Sequence, residues 1–127
     1  MGPEFLDLGD VLRIHEDQIA RYGGLPGLRD VGLLLSAIAV PQATFGRKYL
    51  HEDLFAMAAA YLFHITRNHA FVDGNKRTVA AAALVFLDLN DVEVLAREDA
   101  LAELVLAVAR GAKTKAEIAT FFRTQAR

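Results

Sequence analysis

Cysteine is absent from the 127 residues, and so is tryptophan. Without a thiol the chain can form no disulfide, no thiolate metal site and no cysteine nucleophile. That composition agrees with a reducing compartment. Long apolar runs are missing as well. The two longest, Leu54–Phe63 and Val79–Leu87, fall short of the ~20 residues a membrane-crossing helix needs, so no membrane association is expected. The beginning of the chain has no basic stretch followed by an apolar one, the mark of a secretory signal, and the cytoplasm is the expected location. Neither sign of charge dominates: 14 Lys and Arg face 16 Asp and Glu, a net charge of −2. With no basic run, direct contact with nucleic acid is not expected, and partners should be proteins or small molecules. Met1–Phe5 carries no periodic pattern and receives no weight.

What is present describes a folded chain: 54% apolar and 24% charged residues, with three prolines and no low-complexity stretch. The length suits one domain, taken as residues 1–127. Leu8, Val11, Leu12, His15, Ile19 and Tyr22 follow helical spacing, with Asp7 as N-cap and Gly23 as the stop. Gly23-Gly24-Leu25-Pro26-Gly27 reads as a loop. Asp30 should cap a second helix running to Val40 and ended by Pro41. Gln42–His51 reads mostly as loop. Glu52–Asn68 and Asn75–Leu89 are apolar nearly all round, so both should be buried. Their alanines (Ala56, Ala58–Ala60 and Ala80–Ala83) allow close helix packing, and the short link between them predicts a helical hairpin. Val92–Leu95 reads as a short extended piece. Glu98–Ala109 and a last helix with a Thr114/Glu117 capping box complete the chain. The expected fold is all-α, a bundle of about six or seven helices around the central hairpin.

The link between the two buried helices reads His69-Ala70-Phe71-Val72-Asp73-Gly74-Asn75-Lys76-Arg77. A first helical turn is positive and prefers Asp or Glu, yet Lys76 and Arg77 stand there. Free N–H groups at a helix start attract an anion, and Gly74 lets one approach the main chain. A lysine and an arginine complete such a site if a phosphate binds there. Asp73 is a hard oxygen ligand suited to magnesium. Asn75 can orient a phosphate oxygen or cap the helix. His69 is the side chain able to take a proton near neutral pH. Phe71 and Val72 are apolar in a polar loop, and at least one, Phe71 first, should anchor it to the core. A base, a metal ligand and a phosphate clamp are the parts needed to move a phosphate-containing group onto a hydroxyl.

The string His-x-Phe-x-Asp-Gly-Asn-Lys-Arg resembles the motif of the Fic family, and within it the Doc ("death on curing") toxin branch. Ile14-His15, Arg21-Tyr22-Gly23-Gly24, Pro26-Gly27 and the two alanine-rich helices extend the resemblance over most of the chain. It implies a compact Fic-like helical domain. Fic proteins typically transfer AMP from ATP to a protein hydroxyl. Their motif usually has Gly where this chain has Lys76 and a second Arg where it has Ala80. Both departures match the Doc branch, which implies transfer of the γ-phosphate instead. The resemblance further implies a toxin paired with a Phd-type antitoxin, ATP and Mg2+ as the small molecules, and a threonine of elongation factor Tu as the target, so that translation stops. Carried over by motif position, His69 is the general base and Asp73 the magnesium ligand, while Gly74, Asn75, Lys76 and Arg77 hold the phosphates. The alternatives are a Fic-type AMP transferase and a catalytically idle module that binds an antitoxin or acts as a co-repressor.

Other polar features receive plainer readings. His15 lies on the apolar face of its helix and reads as a core or interfacial histidine. His64 and His69 point apart even on a continuous helix, and His51-Glu52-Asp53 reads as a helix start, so neither is taken as a metal site. Gly74–Thr78 lacks the upstream glycine and the preceding strand of a P-loop. Arg21 and Tyr22 stand where the rim of the site would be.

Overall fold

The computed structural model describes residues 2–127. Six helices carry the described chain: α1 (Leu8–Tyr22), α2 (Val31–Ala39), α3 (Leu54–Asn68), α4 (Asn75–Leu89), α5 (Glu98–Ala109) and α6 (Lys115–Gln125). A two-stranded antiparallel hairpin, β1 (Thr44–Phe45) and β2 (Lys48–Tyr49), separates α2 from α3. The all-α expectation holds.

Local chemistry sets most helix starts. Asp7 accepts from the Asp10 N–H at 2.8 Å while the Asp10 carboxylate accepts from the Asp7 N–H, a reciprocal cap. Asp30 caps α2 through Leu33, Asp53 caps α3 through Ala56, and Thr114 with Glu117 forms the expected box on α6. Helix α3 therefore starts at Leu54, not at Glu52, because Asp53 is spent as the cap and as the partner of Arg123 at 3.1 Å.

Helices α3 and α4 form the central hairpin; α6 and α2 pack on α3, and α1 and α5 on α4. Ala58, Ala59, Ala60, Ala82 and Ala83 are fully buried, and Tyr61 of α3 meets Phe86 of α4 with ring centroids 5.0 Å apart. Burial pushes the Tyr61 phenol up to about 12, and its oxygen accepts the Leu6 N–H at 2.9 Å. Phe5 lies against Tyr49 and Phe86, and Glu4 exchanges two main-chain bonds with the Asn90 amide. Of Met1–Phe5, Met1 lies outside the described residues.

Two further differences have local causes. Helix α2 ends at Ala39 and tightens into a single 3₁₀ turn, Val40–Gln42, that contains Pro41. The stretch read as loop then turns through Gly46 and Arg47, both at positive φ, and pairs Thr44 with Tyr49 and Phe45 with Lys48. Strands of two residues are too short to show alternation, and Gly-Arg is not among the dipeptides that signal such a turn. The extended reading of Val92–Leu95 is met by a bridge between Val94 and Ala126.

On the far side of α3, the Lys115 ammonium donates to Nε2 of both His51 (3.2 Å) and His64 (3.1 Å). Burial first, then the Lys115 charge, pushes His64 down to about 4, and the same two causes lower His51. Among the described residues no cluster of three metal-ligating side chains occurs. A histidine whose folded pKa is depressed stays neutral while its unfolded counterpart takes a proton. Stability is therefore full above pH 6.5, falls as pH drops toward 4, and levels off below. Solvent screening at this half-buried site leaves His64 a share of roughly 1 kcal/mol. The expected result is a thermal midpoint that falls between pH 6.5 and 4.5 in the parent protein and falls less in His64→Gln, which keeps an acceptor for Lys115. Equal slopes in a pH series of melting curves would dismiss the assignment.

Candidate active site

The link between α3 and α4, residues 69–74, is held from both sides. Helix α3 ends at His69, which adopts the left-handed conformation at φ 46°, ψ 53°. This turns the chain sharply out of α3 and leaves the His69 side chain exposed. The Arg29 guanidinium donates to the His69 carbonyl, and the Asn68 amide donates to the Leu33 carbonyl at 2.8 Å. The Gly27–Asp30 segment runs antiparallel to the link. Arg29 and Asp30 N–H donate to the Ala70 carbonyl, Val72 N–H donates to Gly27, and Leu28 bridges Phe71.

Phe71 is the anchor the sequence suggested: 2% exposed, with its ring flat against His15 at a centroid distance of 3.9 Å and an interplanar angle of 13°. Val72 is exposed. The Asn75 side chain clasps the loop rather than capping the helix. Its amide accepts from the Phe71 N–H at 3.0 Å and donates to the Phe71 carbonyl at 2.9 Å, a clasp that closes the loop. It does not cap α4. The cap position belongs to Gly74 at φ 74°, where a Cβ would come within 3.0 Å of Ile19 Cδ1.

No side chain caps α4, in contrast to α1, α2, α3 and α6. The first-turn N–H groups of Asn75, Lys76 and Arg77 thus keep their affinity for an anion. Lys76 and Arg77 are exposed, and among the described residues neither forms an ion pair. Arg77 is nevertheless placed: it donates to the Gly23 carbonyl at 2.8 Å, and its guanidinium lies 5.6 Å from the Tyr22 ring centroid. Tyr22 is thereby part of the rim, whereas Arg21 is paired with Asp17 at 2.9 Å.

Asp73 completes the site. One oxygen accepts the Leu25 N–H at 3.1 Å and the other the Gly74 N–H at 2.8 Å. These two bonds, in that order, hold its carboxyl below the usual carboxylate range, and the charges of Arg77 and His15 add to the effect. The carboxylate is ionised, exposed and oriented by main chain. Gly24 makes room for it, since a Cβ there would stand 2.8 Å from the Asp73 oxygen. One continuous surface therefore carries an oriented carboxylate, an uncapped helix start and two cations, and His69 opens the same loop.

The structure also brings in residues that sequence reasoning did not assign here. Arg29, Gly24 and the Leu25 N–H shape the link from a segment some 45 residues upstream. His15 is 4% exposed, with Nδ1 at 2.9 Å from Thr78 Oγ1 in the first turn of α4. Burial pushes its imidazole below the ordinary histidine range, against the pull of Asp73 and Glu16. Nothing local in the sequence marks these contacts; only the glycines at 23, 24 and 27 hint that two backbones approach here.

The sequence of residues 5–87 matches the Fic/DOC family. The chain is 37% identical over 114 residues to the protein kinase doc of Escherichia phage P1, covering 90% of this chain and 89% of that one. It is 48% identical over 96 residues to the toxin Doc of Mycolicibacterium smegmatis, covering 76% and 72% respectively. The matched span holds the whole of the loop just described, and the chain belongs to the Fic/DOC family.

Proposed function

We propose that this protein is a Doc-type toxin and a protein kinase, transferring the γ-phosphate of ATP to a threonine or serine of a translation factor, with elongation factor Tu as the first candidate. The observation that carries the reading is the first turn of α4: uncapped, and loaded with two cations that form no ion pair among the described residues. Its likeness to a protein kinase of phage P1 supports phosphate over AMP as the group moved. So does Ala80, where the AMP-transferring pattern has a second arginine.

In this reading the target hydroxyl oxygen attacks the γ-phosphorus, His69 takes the hydroxyl proton, the bond to the bridging oxygen breaks, and ADP leaves. Lys76, Arg77 and the N–H groups from Gly74 onward hold the phosphate oxygens; Asn75 serves through its main chain and by keeping the loop closed. Asp73 fits magnesium only as a shared ligand. It is a single oriented carboxylate, among described residues without a three-ligand cluster, and would hold the ion together with phosphate oxygens and water. When bound, the ion neutralises phosphate charge. A Phd-type antitoxin is the proposed partner, and translation arrest in the cytoplasm the proposed outcome.

The test is to incubate the protein with Mg2+, bacterial elongation factor Tu and ATP labelled at either the α- or the γ-phosphate. Label from γ alone, with one phosphate of added mass on the target, is the expected result. Label from α would make the protein an AMP transferase. No label from either, in purified factor or whole lysate, would leave an antitoxin-binding module. Lys76→Gly should lower γ-phosphate transfer about tenfold, the share of one charge-assisted contact. An unchanged rate would remove Lys76 from the clamp.

A further inference from the structure

His15 lies in α1, yet it borders both the loop and the first turn of α4. Its ring lies flat on Phe71, Nδ1 meets the Thr78 hydroxyl at 2.9 Å, and Cε1 comes within 3.4 Å of where a Cβ on Gly74 would stand. A phenylalanine would stack on Phe71 equally well. What the imidazole adds is polar: a bond to Thr78, and an Nε2 that is buried and without a partner among the described residues. A buried nitrogen left unpaired weakens a fold, so packing alone does not account for a histidine at this point.

We propose that His15 is a positioning residue for the phosphate-binding turn: it fixes the Thr78 hydroxyl and floors Gly74, so that the first-turn N–H groups and the Lys76–Arg77 pair are held in register for a phosphate. The proposal rests on the reading of this loop as the nucleotide site. Thr78 is itself fully buried, and its N–H donates to the Gly74 carbonyl at 3.0 Å. The imidazole therefore bonds the residue at one end of the turn's first hydrogen bond and closes off the space beside the Cα at the other. A shift of either end would re-aim the free N–H groups between them.

Three substitutions separate packing from polarity. His15→Phe keeps the ring, His15→Asn sets an amide near the place of Nδ1, and His15→Gln sets one near Nε2. The first readout needs no nucleotide: amide exchange at Thr78–Ala80, expected to quicken about tenfold or more in the Phe and Gln variants and to stay near the parent rate in Asn. The second is steady-state transfer, where Phe and Gln should raise the KM for ATP about tenfold with kcat within about threefold, and Asn should restore KM. Parent-like exchange and KM in His15→Phe would overturn the proposal, since packing would then suffice. If His15→Phe does not fold, Asn and Gln decide, and identical behaviour of the two would overturn it. If the parent protein moves no phosphate from ATP, the proposed function falls by itself, while the exchange readout still decides the role of His15.

Discussion

Replacing His69 with alanine should lower phosphate transfer by roughly 10²–10⁴-fold, the usual worth of a positioned general base. The residue's conformation complicates the choice of variant. His69 sits at φ 46°, a left-handed backbone that alanine adopts with a penalty of about 1 kcal/mol and asparagine adopts more readily. His69→Asn is therefore the better companion: it removes the imidazole while tolerating the turn. Both variants should lose transfer alike, yet His69→Asn should melt within a degree or two of the parent and His69→Ala a few degrees lower. Binding of ATP should survive in both, because the cations and the helix start are untouched. Retained transfer in His69→Asn would show that proton removal is not limiting or lies elsewhere.

The second large effect concerns stability. Phe71→Ala should cost about 3–5 kcal/mol, as removal of a fully buried aromatic ring usually does. The ring is 2% exposed and stacked on His15, and its backbone is clasped by Asn75 and bridged to Leu28. For a chain of this size that loss lowers the melting midpoint by roughly 10–20 °C, a large part of a typical stability. Calorimetry on the purified variant would measure it. A drop of only a few degrees would mean that the loop repacks around the void. Transfer should fail in Phe71→Ala even at temperatures where the variant stays folded, since Asn75 then holds a loop with nothing beneath it.

How much of this was legible beforehand varies with range along the chain. The caps Asp7, Asp30 and Thr114 were readable because a cap and its target lie three residues apart. The central hairpin was readable because two apolar runs flank a short polar link. Phe71 as anchor followed from an apolar side chain in polar company. The role of Asn75 was not readable, because an amide at a helix start serves equally well as cap, ligand or clasp, and only the path of the Phe71 backbone decides. The β1–β2 hairpin escaped because each strand is two residues long. Arg29 and His15 escaped because they act on residues 40 and 63 positions away, a separation that carries no periodic signal.

The pairing of Gly27–Asp30 with Ala70–Val72 has a consequence for anyone who would move this chemistry elsewhere. The nine-residue signature is not a portable cassette. Set on a foreign helical hairpin, it would arrive without the Gly23 carbonyl that Arg77 grips, the Leu25 amide that aims Asp73, or the Arg29 arm on the His69 carbonyl. The smallest transplantable unit comprises two separate stretches, the end of α1 with its glycine turn and the α3–α4 link, and a host scaffold must present both, antiparallel, at hydrogen-bonding distance.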